Sequence, residues 1–169
     1  MKTTIKIFSL AIAIIGFSAT SFAQVSATAT ATSTIVTPIA ISKTVDMNFG
    51  NVAVSSSAGT VVLATAGTRT ATGGVTLPAT SGTIAAAEFT VTGQASYTYS
   101  ITLPSTPTTV ASGSNTMSVN AFTSNPDGTG TLTGGTQTLK VGATLNVGAS
   151  QAAGTYTSAT PFTVTVNYN

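Results

Sequence analysis

The sequence predicts an all-β protein, most simply an immunoglobulin-like sandwich of two sheets. Apolar residues alternate with polar ones along residues 25–169, whereas the 3.6-residue spacing of amphipathic helices is not found. Threonine supplies 37 of the 169 residues and charged residues only 5%, a composition that suits the half-buried surface of a sheet. Gly, Ser, Pro and Asn separate short segments without a fixed-length repeat, which favours a sandwich over a propeller.

The N-terminus has the layout of a secretory signal peptide over residues 1–23. Lys2 and Lys6 precede an apolar stretch at residues 7–17, and small residues lead up to Ala23. The apolar stretch is short for a membrane span. We therefore expect export to the periplasm, cell surface or extracellular space, with no membrane insertion once the leader is removed.

Without the leader, the cations and anions of the chain balance. They are Lys43, Arg69 and Lys140 against Asp46, Glu88 and Asp127. Three scattered cations cannot follow a phosphate backbone, so nucleic acid is not an expected partner.

The first segment of the mature chain keeps one apolar parity from Val25 to Phe49. Because successive side chains of a strand point to opposite faces, this parity predicts one buried face throughout. Pro38 interrupts the run, since proline cannot donate to a ladder. Two interpretations remain open for residues 24–38: an N-terminal extension that acts as a donor strand, or the first strand of a complete sandwich. The β-sandwich domain proper is predicted over residues 39–169.

Seven further strands are predicted between turn-forming residues. They cover residues 59–65, 69–77, 87–93, 96–103, 116–123, 136–147 and 162–168. The clearest turn is Asn125-Pro126-Asp127-Gly128-Thr129-Gly130.

Most catalytic chemistry is excluded by residue types that the chain does not contain. Cysteine and histidine are absent, so catalytic triads and the usual zinc and haem ligands are excluded. Asp46, Glu88 and Asp127 are the only candidates for paired carboxylates, and turn or surface charges explain them better. No catalytic, cofactor-binding or metal-binding residue is predicted, and we expect a non-enzymatic protein.

Two sequence features suggest alternative functions on weaker grounds. Tyr97, Tyr99 and Tyr156 are candidates for a sugar-binding face, although alternating aromatic residues are more often core or cross-strand pairs. Threonine at every second position of residues 28–34 is compatible with ice binding only if the array repeats across adjacent strands, and the sequence shows no such repeat.

The C-terminal strand carries a family resemblance. Gly154-Thr155-Tyr156 followed by an alternating strand with a penultimate aromatic residue resembles the last strand of chaperone–usher pilins and spore-coat-U-like domains. Met47-Asn48-Phe49-Gly50 is similar to an element that these proteins carry after their first strand. More closely, the chain resembles a bacterial secreted family, domain of unknown function 4402. The segments that carry this resemblance are residues 34–39, 47–52, 89–93, 140–145 and 162–169.

The pilin resemblance implies an incomplete sandwich whose groove is filled by the N-terminal extension of the next subunit. The donor residues would be Val25, Ala27, Ala29, Ala31 and Ile35, and the groove residues Phe162, Val164, Val166 and Tyr168. The implied partners are the chain itself or related subunits, with a periplasmic chaperone. We therefore expect a structural subunit of a surface fibre or an adhesion component. The alternative is a self-complete secreted module that binds a carbohydrate or a surface.

Overall fold

The structure is a computed structural model that describes residues 23–169, so the predicted leader lies outside the described residues apart from Ala23. Residues 23–34 belong to a separate N-terminal unit without strand or helix. The strands all lie in the second unit, Ile35–Asn169. They are β1 (Ala40–Val45), β2 (Ala53–Leu63), β3 (Arg69–Thr76), β4 (Ala87–Thr92), β5 (Thr98–Thr102), β6 (Thr108–Ser112), β7 (Asn115–Asn125), β8 (Thr129–Thr131), β9 (Thr136–Val147) and β10 (Thr165–Tyr168).

The strands form two antiparallel sheets, which confirms the predicted all-β sandwich. In the seven-stranded sheet β9 is central: its first half pairs with β4 and its second half with β2. On that edge of β9, β1 pairs with the far side of β4 and β3 pairs with the far side of β2. On the opposite edge of β9, β7 pairs with β9 and β6 pairs with β7. The three-stranded sheet has the order β10-β5-β8.

The core consists of two apolar clusters. One contains Tyr99, Leu132 and Leu139, all fully buried, together with Val164 and Val166 of the C-terminal segment. The other is built on β2, β7 and β9, and its inward-facing residues on these strands are Val61, Val119, Ala143, Leu145 and Val147. The alternation of apolar and polar residues therefore encodes the two faces of each strand.

The outer face of the large sheet explains the high threonine content. A row of uncharged polar residues crosses five strands: Thr72, Thr60, Asn146, Ser118 and Thr109. The hydroxyls of Thr60 and Thr72 are 2.7 Å apart. The register of non-consecutive strands creates this row, which a linear scan cannot show. Three of its five members are threonine, and none belongs to residues 28–34.

A second polar contact explains the conformation of the Phe49-Gly50 segment that follows β1. The Arg69 guanidinium donates to the carbonyls of Phe49 and Asn51 at 2.5 and 2.7 Å. Gly50 between them has a φ of 68°, which favours glycine. The cation thus holds the loop that leads from β1 into β2.

The predicted strand from Val25 is wrong. Residues 23–39 contain no strand, and Val25 and Ile35 are 92% and 95% exposed. Alternating alanines bury too little apolar area to order a segment without a partner edge. The donor-strand interpretation of residues 24–38 stays a prediction. The sequence also missed β6 and β8.

Candidate functional site

The C-terminal strand β10 has one free edge. Among the described residues it pairs with β5 alone, from Thr165–Thr102 to Tyr168–Tyr99. Asn169 N donates to Thr98 O at 3.3 Å, and antiparallel hydrogen bonds alternate along a strand. The main-chain groups of Val166 therefore point away from β5, toward the free edge. Such an edge is a template for another strand.

One edge strand of the seven-stranded sheet, β1, lies close to β10. β1 and β10 approach within 8 Å between Cα atoms, yet no ladder joins them among the described residues. Ile39 and Ile41, at the start of β1, pack against the same core cluster as Val164 and Val166. The two sheets are thus joined by side chains at this border, while their main-chain edges stay unpaired with each other.

A cleft adjoins the start of β10. Its volume is about 580 Å³, and it is lined by residues 103–109, Ala111 and residues 159–163. Phe162 forms part of its wall and is held by two other rings: its centroid lies 4.9 Å from that of Phe122 and 6.5 Å from that of Phe89. We call this the Phe162 cleft. Its lining of apolar, threonine and serine side chains carries no charge.

The other end of β10 is fastened by Tyr168. Its hydroxyl donates to the Thr37 carbonyl at 2.7 Å and accepts from the Gln94 main-chain nitrogen at 2.6 Å. Thr37 N in turn donates to Gln94 Oε1 at 3.3 Å. A side chain at Gly93 would collide with the Tyr168 hydroxyl, so glycine is required at that position. We call Tyr168, Thr37 and Gln94 the C-terminal clasp.

The four predicted groove residues share one parity of the C-terminal segment but differ in their surroundings. Phe162 lines the cleft, Val164 and Val166 are each 8% exposed and face the core, and Tyr168 belongs to the clasp. The sequence missed residues 103–109 of the cleft, where the closely spaced Pro104 and Pro107 were its only signal. Nothing in the sequence singled out Gln94.

The charged residues lie in separate local contacts. Lys43 is 2.6 Å from Asp46, and Lys140 is 2.8 Å from Glu88 on the neighbouring strand. Within residues 23–169 no group of three or more potential ligands is placed to hold a metal ion. Over the same residues no helix is long and apolar enough to cross a membrane.

The three tyrosines do not form a common face. Tyr99 is fully buried and donates to Gln137 Oε1 at 2.9 Å, and burial raises the pKa of its hydroxyl above the ordinary value. Tyr97 is 44% exposed and packs edge-on against Tyr168. The Tyr156 hydroxyl donates to the Ala152 carbonyl at 2.7 Å. Tyr99 therefore cannot belong to the candidate sugar-binding face, and its burial agrees with the core position that the alternation favoured.

The family comparison covers most of the chain. A family model described as domain of unknown function DUF4402 matches residues 39–168. The chain belongs to this family. Neither a curated protein nor a solved structure shows significant similarity to it.

The bounds of the DUF4402 domain agree with the geometry. The match starts at Ile39, one residue before β1, and it ends at Tyr168 of the clasp. The DUF4402 domain thus contains β1, β10 and the Phe162 cleft, while residues 24–38 precede it.

Proposed function

We propose that this protein is an exported, non-enzymatic structural subunit of a pilin-like surface fibre or adhesion structure, assembled by strand addition. The observation that carries the proposal is the free edge of β10, whose inward-facing Val166 belongs to the core cluster. Main-chain bonds to such an edge give affinity, and alternate side chains of the added strand give specificity.

The extension supplies a suitable strand. Val25 and Ile35 are the two most exposed large apolar side chains of the described residues. Burying such a side chain contributes roughly 1.5–3 kcal/mol, and the alanines between them add less. The extension contains no charged residue, so no desolvated charge opposes its entry into an apolar groove. The groove of a second copy is thus the natural partner.

The mature chain, residues 24–169, tests this proposal directly. We expect oligomer ladders that persist in SDS without boiling, because strand addition buries a continuous main-chain edge. Deleting residues 24–34 should leave a monomer that keeps the clasp at Thr37, and a synthetic peptide of residues 24–37 should bind it. A monodisperse full-length monomer that ignores the peptide would refute strand addition.

Side-chain parity offers a matched control. Ala31 and Thr32 are neighbours on opposite faces of an extended strand, and both are exposed in the free subunit. Ala31→Asp should abolish the ladders, because the carboxylate would be desolvated in the groove. Thr32→Asp should leave them intact. Equal effects of the two changes would contradict insertion of the odd-numbered face.

One observation favours the self-complete binding module as a second candidate. The five-strand polar row through Thr60 and Asn146 has no charged member, as expected for contact with a neutral polysaccharide. Glycan-array binding that is lost in Thr60→Val and Thr72→Val variants of normal stability would support this function. Absence of binding to every neutral glycan on the array would count against this function.

A further inference from the structure

We infer that a strand added to the free edge of β10 opens the C-terminal clasp, so that a subunit which accepts a strand releases the root of its own extension. This inference rests on the proposed function and assigns a regulatory role to Tyr168. Tyr168 lies on the acceptor strand, and its hydroxyl bonds the carbonyl of Thr37, near the end of the extension. The clasp therefore connects the accepting end of a subunit to its donating end.

The gap between β1 and β10 is too narrow for a third strand. The two edge strands approach within 8 Å between Cα atoms. Stacked sheets pack about 10 Å apart, so this closer approach places β1 at the border of the sandwich. Strands of one ladder lie about 4.8 Å apart, so a strand between β1 and β10 would separate them by about 9.6 Å. A strand that pairs with the free edge of β10 must therefore push the start of β1 outward by about 1.5 Å or more.

The clasp is the contact that yields to this movement. Thr37 lies before β1, and both of its main-chain polar groups are held: the carbonyl accepts from the Tyr168 hydroxyl at 2.7 Å, and the nitrogen donates to Gln94 Oε1 at 3.3 Å. A shift of about 1.5 Å takes both contacts beyond hydrogen-bond range. β1 itself is anchored by its ladder to β4, so the residues before the strand take up most of the movement.

Opening the clasp lengthens the strand that a subunit can donate. Once Thr37 is released, residues 37 and 38 become free to follow the rest of the extension, which adds about 7 Å of reach. Coupling between two binding events is reciprocal, so a neighbour that takes up the extension also favours the open clasp and the accepting state of the same subunit. A subunit that already has one neighbour is therefore the better partner for the next.

Amide hydrogen exchange tests this coupling. The acceptor is the full mature chain carrying Ala31→Asp, which keeps its groove but does not donate its strand, and the probe is a synthetic peptide of residues 24–37. The main-chain amides of Thr37 and Gln94 report on the clasp, since they donate to Gln94 Oε1 and to the Tyr168 hydroxyl. We expect saturating peptide to speed the exchange of both amides at least about tenfold, and to leave the amide of Leu139 in the central strand unchanged.

The outcomes separate this inference from the proposed function. Exchange that stays unchanged or slows at either clasp amide, with the peptide bound, would overturn the coupling and leave strand addition standing. Faster exchange at Leu139 as well would assign the effect to general unfolding and would also overturn the coupling. A peptide that does not bind the acceptor would overturn both the coupling and strand addition.

Removing one bond of the clasp gives a second readout in the same background. Tyr168→Phe keeps the ring on the acceptor strand but removes the bond to Thr37, so the added strand no longer has to break it. We expect the peptide to bind this variant about fivefold more tightly. Tyr97→Phe removes a hydroxyl from the ring that packs against Tyr168 and should leave the affinity unchanged. Equal or weaker binding to Tyr168→Phe would overturn the coupling.

Discussion

At the scale of single residues, Tyr168 shows how a penultimate aromatic residue acts through its hydroxyl as much as through its ring. The hydroxyl bonds two segments that are far apart in sequence, Thr37 and Gln94. The aromatic character of position 168 was readable from the sequence. Its partners were not, because they depend on the β4–β5 turn and on the path of the chain before β1.

We expect Tyr168→Phe to lower the free energy of unfolding by about 1–3 kcal/mol. The change removes two hydrogen bonds and leaves the Gln94 nitrogen unpaired, while the ring keeps its contact with Tyr97. Urea unfolding of the mature chain measures the loss. Tyr97→Phe is the control, because half of that side chain is in solvent; an equal loss in both variants would show that the clasp contributes nothing.

Tyr99 gives a prediction about alkaline pH. Burial raises the pKa of its hydroxyl above 10.0, so the folded chain holds this proton more tightly than the unfolded chain. Stability from this group is complete below about pH 10 and falls as the pH rises through the raised pKa. Tyr99→Phe should therefore flatten the decline above about pH 10 in urea unfolding. An identical decline in both proteins would assign it to other groups.

At the scale of elements, the strands that the sequence predicted well are those whose two faces differ most. The bounds of β9 agree with the prediction at both ends, and β3 and β4 each extend one residue less than predicted. β8 was missed because its three residues depend on distant partners: Gly130 packs on the Tyr99 ring, and Thr131 N donates to Gln137 Oε1. No local pattern encodes such contacts.

The extension is a segment whose sequence pattern predicts a strand that the structure does not contain. Residues 25–35 alternate as regularly as any strand, yet they form none in the described chain. Alternation predicts which side chains of a strand would be buried and which exposed. Whether the strand forms depends on the presence of an edge with which it can pair. The prediction of the candidate site from the sequence was limited for the same reason, since its contacts join segments that are distant in sequence. The sequence indicated Phe162 and Tyr168, whereas the cleft and the clasp required the fold.

The loop between β1 and β2 depends on one cation. Arg69→Lys should cost about 1–3 kcal/mol in unfolding free energy. One guanidinium nitrogen donates to the Phe49 and Asn51 carbonyls and the other to the Ser81 carbonyl, and a single ammonium cannot replace both nitrogens. Thermal or urea unfolding measures the cost. Lys43→Ala removes an exposed ion pair and should change stability by less than about 0.5 kcal/mol; a comparable loss there would point to a general charge effect.

At the scale of the whole molecule, the strands all lie within Ile35–Asn169. Deleting residues 24–34 should therefore shift the Tm of the monomer by less than about 2 °C, because the deletion removes no core contact. Differential scanning calorimetry at low protein concentration measures this. A shift of several degrees would show that the extension stabilises its own sandwich.

The placement of the three cations has a consequence for digestion by trypsin-like proteases. Lys43, Arg69 and Lys140 lie within β1, β3 and β9, each held by a hydrogen bond or an ion pair. Trypsin-like proteases cleave after lysine or arginine in extended, accessible loops, and the loops of residues 24–169 offer neither residue. Digestion within residues 24–169 must wait for a sheet to open, so we expect this part of the folded chain to resist these proteases even though many of its loops are exposed.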